Sequence, residues 1–159
     1  MEVRQATRGD LMEIARVAHQ SVLAACEGLL KSSTITATLD DEYSPSALSR
    51  RLLEGALAVA VAPEGTMVGF AESAVTDERV SVRIHAASKT ARRAIWVRDL
   101  VNVVRARYPD RPLCADVLLG NFAGERSCEV AGFVPGEVIQ RTLFGEEIVE
   151  RRWWCPLAE

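Results

Sequence analysis

The chain has almost no lysine. Of its 19 basic residues only Lys31 and Lys89 are lysines, so arginine carries nearly all the positive charge. This reads first as a compositional bias, and it lowers the weight of any single arginine as a functional signal. Histidine is equally scarce, with only His19 and His85, and the four cysteines (Cys26, Cys114, Cys128 and Cys155) are widely spaced with no Cys-x-x-Cys pair. These shortages argue against a zinc site, which needs a compact set of sulfur and imidazole ligands, and no metal is expected. Positive charge is not in excess either. The net charge of -3 gives no reason to expect nucleic acid, because a phosphate-backbone binder needs a basic face. No apolar run approaches the length that spans a bilayer, and Met1-Glu2-Val3-Arg4-Gln5 does not begin one. The expectation is a cytoplasmic protein with free thiols and no membrane partner.

What is present is enough apolar material for one core. With 159 residues and 48% hydrophobic content, the chain is long enough to bury one core and too short for two ordinary domains, so a single domain over 1–159 is expected. Glu2 to Ala6 predicts a strand. Leu11, Ile14, Ala15, Ala18, Val22 and Ala25 recur at helical spacing to about Cys26. Lys31 to Tyr43 is polar and follows neither the helical nor the strand period. Ser44-Pro45 opens a second helix, with serine as cap and proline where no donor is lost. Ala56 to Ala62 and Thr66 to Val75, separated by Pro63-Glu64-Gly65, predict a hairpin. Arg79 to His85 alternates as a half-buried strand, with Val80, Val82 and Ile84 on one face. Ala91, Ala94, Ile95, Val101 and Val104 mark a long helix ending near Tyr108-Pro109. A strand from Leu113 to Leu118, a short helix and two final strands, Glu137 to Phe144 and Ile148 to Trp154, complete an α+β or mixed α/β order.

The short helix carries the most information. Asn121 can accept from the free amides of a first helical turn, and Gly132 can take the left-handed conformation that ends a helix before Phe133. One reading is simply a well-capped helix. The segment also closely resembles the last conserved block of the GNAT acyl-CoA N-acyltransferases, a strand followed by Asn-x-x-Ala, a tyrosine and Gly-Phe. Asn121, Gly132 and Phe133 fall at the family spacing, while Gly124 stands at the alanine position and Cys128 at the tyrosine. Arg4-Gln5-Ala6-Thr7-Arg8-Gly9-Asp10 and Val68-Gly69-Phe70-Ala71 resemble the family's opening and third strand. The resemblance implies a mostly antiparallel central sheet of about seven strands flanked by about four helices.

It also implies a site. The family binds the CoA pyrophosphate in a loop that opens its central helix, which maps onto Lys89-Thr90-Ala91-Arg92-Arg93-Ala94, with Arg92 in place of the first glycine. Helix-terminal amides and the helix dipole favour an anion there. Lys89, Arg92 and Arg93 crowd positive charge into a first turn, which either extends into water or meets a polyanion. By the same resemblance, acetyl-CoA or CoA is the cosubstrate, lying along Ile84 to Ala86 with Asn121 across from it. The expected activity is direct transfer of an acetyl or other short acyl group to the amine of a small molecule or peptide; the alternative is a noncatalytic acyl-CoA-binding regulatory module. Glu78 matches a base position of some relatives and also reads as a hairpin turn. Cys128 stands where relatives carry a general acid and also reads as a buried inert thiol. His85 is an alternative base or a structural histidine. Asp40-Asp41-Glu42 borders the expected acceptor site or forms a solvated loop. Trp153-Trp154 puts one indole on each face of a strand, one in the core and the other a candidate homodimer contact.

Overall fold

The apolar runs of the sequence become the strands of one seven-stranded sheet in the computed structural model, which describes residues 1–87 and 93–157. The strands are β1 (Glu2–Gln5), β2 (Leu57–Val61), β3 (Met67–Val75), β4 (Val80–Ala86), β5 (Leu113–Leu118), β6 (Val134–Leu143) and β7 (Glu146–Cys155). Their order is β1-β2-β3-β4-β5-β7-β6. Every neighbouring pair is antiparallel except β4 and β5. That exception follows from the connection, because only a long crossover can bring a strand back parallel to its predecessor. Here the crossover contains a helix, α4 (Arg93–Arg107).

Both faces of the sheet are covered. On one, α4 presents Trp96, Val97, Leu100, Val101 and Val104 to Val80, Val82, Leu113 and Ala115. On the other, α1 (Leu11–Cys26) lays Ile14, Val17, Ala18 and Val22 over Val59, Met67 and Phe70. Trp96 is fully buried. A Cβ built on Gly69 would lie 2.4 Å from the Trp96 ring, so glycine is what lets the indole reach the sheet. Losing a buried indole of this kind costs about 3 to 5 kcal/mol.

The phase of α4 differs from the sequence expectation. Ile95, assigned to the inner stripe, is 59% exposed, and Trp96, Val97 and Leu100 occupy the core instead. Several apolar residues in a row leave a helical period without a unique phase.

A larger difference lies between α1 and β2. The stretch that showed no period contains α2 (Ser32–Glu42), followed by α3 (Pro45–Leu53). Three helices therefore precede β2, and the described residues hold five α-helices where about four were expected. The inner face of α2 is Thr34, Ile35 and Thr38. Two threonines hide the stripe from a hydrophobicity reading, yet both are buried, and Thr38 satisfies its hydroxyl by donating to the Thr34 carbonyl at 2.9 Å. Among the described residues no helix is long and apolar enough to cross a membrane.

Candidate functional site

β4 and β5 pair only at Val80↔Leu113 and Ser81↔Cys114, and then separate. The gap widens into a cleft of about 560 Å³ whose walls include Val82 to Ala87 on one side and Ala115 to Leu118 on the other. Alternation fixes what β4 offers to this gap. The Val80 amide donates to the Pro112 carbonyl on the β5 side, and the Ala87 amide donates to Val68 on β3. Ile84 and Ala86 share the Val80 direction and lie beyond the last β4–β5 pair, so their main-chain groups face the cleft with no strand among the described residues to receive them.

Across the cleft stands α5 (Phe122–Val130). Asn121 Oδ1 accepts from the Gly124 amide at 3.1 Å, which caps the helix. At the other end the Phe133 amide donates to Cys128 and the Gly132 amide to Glu129, with Gly132 at φ 89°, the paired bonds of a Schellman stop. Gly124 is closely surrounded. A Cβ there would lie 2.5 Å from Asn121 Nδ2 and 2.9 Å from Val117 Cγ1, which accounts for glycine at the family's alanine position.

Cys128 lines the cleft but is buried. Burial first, and then the negative charges of Glu125, Asp116 and Glu129, push its thiol up to about 12. It is a neutral thiol at physiological pH. Handing its proton to an ordinary thiolate is uphill by about 1.4 kcal/mol per pKa unit of difference, so it is a poor acid for a leaving group.

The remaining wall is charged in pairs. Arg83 meets Glu42 at 3.0 Å, Arg141 meets Glu150 at 2.6 Å, and Arg152 holds Asp116 with two bonds of 2.8 and 3.0 Å. Behind β4, on the α1 side, Tyr43, Glu72 and His85 form a buried polar cluster. The Tyr43 hydroxyl donates to Glu72 Oε1 at 3.0 Å and lies 3.2 Å from His85 Nε2. His85 Nδ1 lies 3.2 Å from Ser21 Oγ, and Phe70 stacks on the imidazole with centroids 4.5 Å apart. Arg51 and Arg83 each approach Glu72 at 3.5 Å. Burial alone would raise the Glu72 pKa. The hydrogen bond and charge of His85, with Arg83 and Arg51, outweigh it and hold the carboxyl down to about 2.

The cleft brings together Ile84, Ala86, Asn121, Cys128 and His85 from the sequence expectations. Glu78 is elsewhere. It is exposed in the turn between β3 and β4, at the end of β4 away from the opening, and does not line the cleft. Lys89, Thr90, Ala91 and Arg92 lie outside the described residues; Arg93 and Ala94 open α4, and their side chains lie outside the description. Asp40 and Asp41 are exposed on α2, whereas Glu42 lines the cleft. Trp153 is core, and Trp154 donates to Glu137 at 2.7 Å. Sequence reasoning missed Ser21, Tyr43 and Glu72. A glutamate within the apolar run Met67 to Ala74 was the available signal, since a carboxylate there must either reach water or find partners.

No family model matches the sequence, and no curated protein matches it. Solved structures do. The PaiA N-acetyltransferase of Thermoplasma acidophilum, in complex with coenzyme A, superposes with a TM-score of 0.74 at 18% identity, covering 94% of this chain and 96% of that one. The ribosomal-protein-alanine N-acetyltransferase of Brucella melitensis gives 0.71 at 20% identity over 99% and 100% of the two chains. A GNAT superfamily phosphinothricin acetyltransferase of Sinorhizobium meliloti, in complex with acetyl-CoA, gives 0.68 at 16% over 99% and 88%. The chain has the GNAT fold.

Proposed function

We propose that this protein transfers an acetyl or other short acyl group from acyl-CoA to the amine of an acceptor, directly and within a ternary complex. The observation that carries this reading is the early separation of β4 from β5, which leaves the main-chain groups of Ile84 and Ala86 without a strand partner among the described residues, along a cleft faced by the Asn121-capped helix. An extended pantetheine arm can bond to that strand edge as an added strand would, and an amide beside the thioester carbonyl would polarise it for attack. The CoA complexes of the PaiA and phosphinothricin enzymes support the same cosubstrate here.

The pyrophosphate role of Lys89, Thr90, Ala91, Arg92, Arg93 and Ala94 rests on the sequence and on its place at the start of α4, where three basic side chains and helix-terminal amides would suit phosphate. Glu78 as base finds no support in the geometry. Cys128 as acid finds little, because its neutral form is strongly held. That same observation favours one rival, an acyl-CoA-binding module that has lost its chemistry. The acceptor is an amine-bearing small molecule or peptide. Glu42 and Glu150 on the cleft wall would attract a cationic amine, although each is already matched by an arginine.

Calorimetric titration with acetyl-CoA and with CoA, followed by thiol release across a panel of primary amines, tests the proposal. Binding with release identifies the enzyme and binding without release identifies the module. No heat and no melting shift at millimolar ligand would sink both.

A further inference from the structure

Four polar side chains from separate parts of the chain form one row that ends at the cleft. Ser21 of α1, His85 of β4, Tyr43 after α2 and Glu72 of β3 follow one another at 3.2, 3.2 and 3.0 Å. Ser21, His85 and Tyr43 line the cleft, and Glu72 closes the row behind them.

The hydrogens in this row can be assigned by counting donors. Ionised Glu72 only accepts, and Tyr43 has a single hydroxyl hydrogen. That hydrogen goes to the carboxylate, because a charge-assisted bond is the stronger of its two options. The Tyr43 oxygen therefore accepts from His85, and Nε2 must carry the imidazole hydrogen. Nδ1 is left as the basic nitrogen, with the Ser21 hydroxyl donating to it. The basic end of the row is thus the end toward the cleft. Phe70, stacked nearly parallel to the ring at 15°, holds its plane. The charged groups that face the row are Glu72 from β3, Glu42 from α2, Arg51 from α3 and Arg83 from β4.

We propose that His85 is the proton acceptor of the acyl transfer, reached through the Ser21 hydroxyl, and that Tyr43 and Glu72 are positioning residues that hold its Nε2–H tautomer. This inference rests on the acyl-transfer reading. One proton of the acceptor ammonium passes to Ser21 Oγ while the serine's own proton passes to Nδ1. The freed lone pair forms the C–N bond to the thioester carbonyl carbon. The C–S bond breaks with its electron pair on sulfur, the thiolate takes the second amine proton, and the imidazolium returns its proton to solvent. No other reactant is needed.

Two measurements test the proposal. In the His19→Gln protein His85 is the only histidine, and nitrogen-15 NMR of its neutral ring reads the tautomer directly. Protonated Nε2 with bare Nδ1 is expected, shifting toward a mixture in Tyr43→Phe; a neutral ring protonated at Nδ1 overturns the proposal. Kinetically, His85→Gln and Ser21→Ala should each lower kcat/KM for the best amine of the panel, by about 100-fold or more for His85→Gln. Acetyl-CoA affinity should be unchanged, and the acid limb of the pH profile should disappear in His85→Gln. If His85→Gln does not fold, Ser21→Ala carries the test, since its hydroxyl lies at the cleft. Variants that bind acetyl-CoA and keep the parent rate and acid limb overturn the role of the row and leave the acyl-transfer reading standing. A parent protein that binds no acetyl-CoA removes both.

Discussion

Tyr43 donates its hydroxyl hydrogen to Glu72 across 3.0 Å of protein interior. The pair joins the end of α2 to the middle of β3, and with His85 it ties the helical layer to the strand that borders the cleft. It also makes stability depend on pH.

The Glu72 carboxyl is held at about 2, against an ordinary value of 4.5. Its folded pKa lies below its unfolded one, so between these values the unfolded chain binds more protons. The stabilisation is complete above about pH 4.5 and is lost as pH falls toward 2, with a magnitude on the order of 3 kcal/mol. Urea unfolding from pH 2.5 to 7 should show a steeper acid loss in the parent than in Glu72→Gln. Parallel curves would contradict the assignment.

Cys128 has the opposite sign. Its folded pKa is pushed above the ordinary 9.0 to about 12, so its contribution is complete below pH 9 and is lost as pH rises toward 12. Peptide mapping after iodoacetamide at pH 8.5 should find Cys128 unmodified in the native protein and modified in urea. Because the thiol is a poor acid, Cys128→Ser should keep turnover within about threefold of the parent; a loss of 100-fold would restore Cys128 to the chemistry.

Gly69 faces Trp96 so closely that any side chain displaces the ring or meets the His85 carbonyl at 2.7 Å. Gly69→Ala should destabilise by about 1 to 3 kcal/mol, the usual cost of overpacking, although the substitution is tiny and favours a strand. Denaturant midpoints read this directly, and an unchanged midpoint would show that the indole yields freely.

Gly124→Ala pits two local effects against each other. Alanine gains about 1 kcal/mol of helix propensity. The new Cβ, however, would lie 2.5 Å from the Asn121 side chain that caps the helix. Net destabilisation is expected, with faster amide exchange in the first turn of α5; a rise in melting temperature would mean that the cap relaxes without loss.

The legible parts of this fold were those set by neighbours in sequence. The α5 stop follows from Gly132 and its two amide bonds, and the Asn121 cap from a side chain three residues from its donor. The helix α2 was illegible because its inner face carries the threonines Thr34 and Thr38, of which Thr38 satisfies its hydroxyl within the helix. The row behind the cleft was illegible for another reason: Tyr43 lies 29 positions from Glu72 and 42 from His85, and Ser21 lies 64 from His85. No pattern in one sequence joins them until the sheet is folded. Glu78 shows the converse, since counting back from Ile84 gave a residue of the right type on the wrong end of the strand.

The central claim is that acyl-CoA lies in the gap between β4 and β5. Amide NMR of the isotope-labelled protein titrated with acetyl-CoA tests it most directly. Saturable shifts at Ile84, Ala86, Asn121 and Gly124, with Glu78 unmoved, are the predicted result. Shifts confined to other surfaces, or none at millimolar acetyl-CoA, would contradict it.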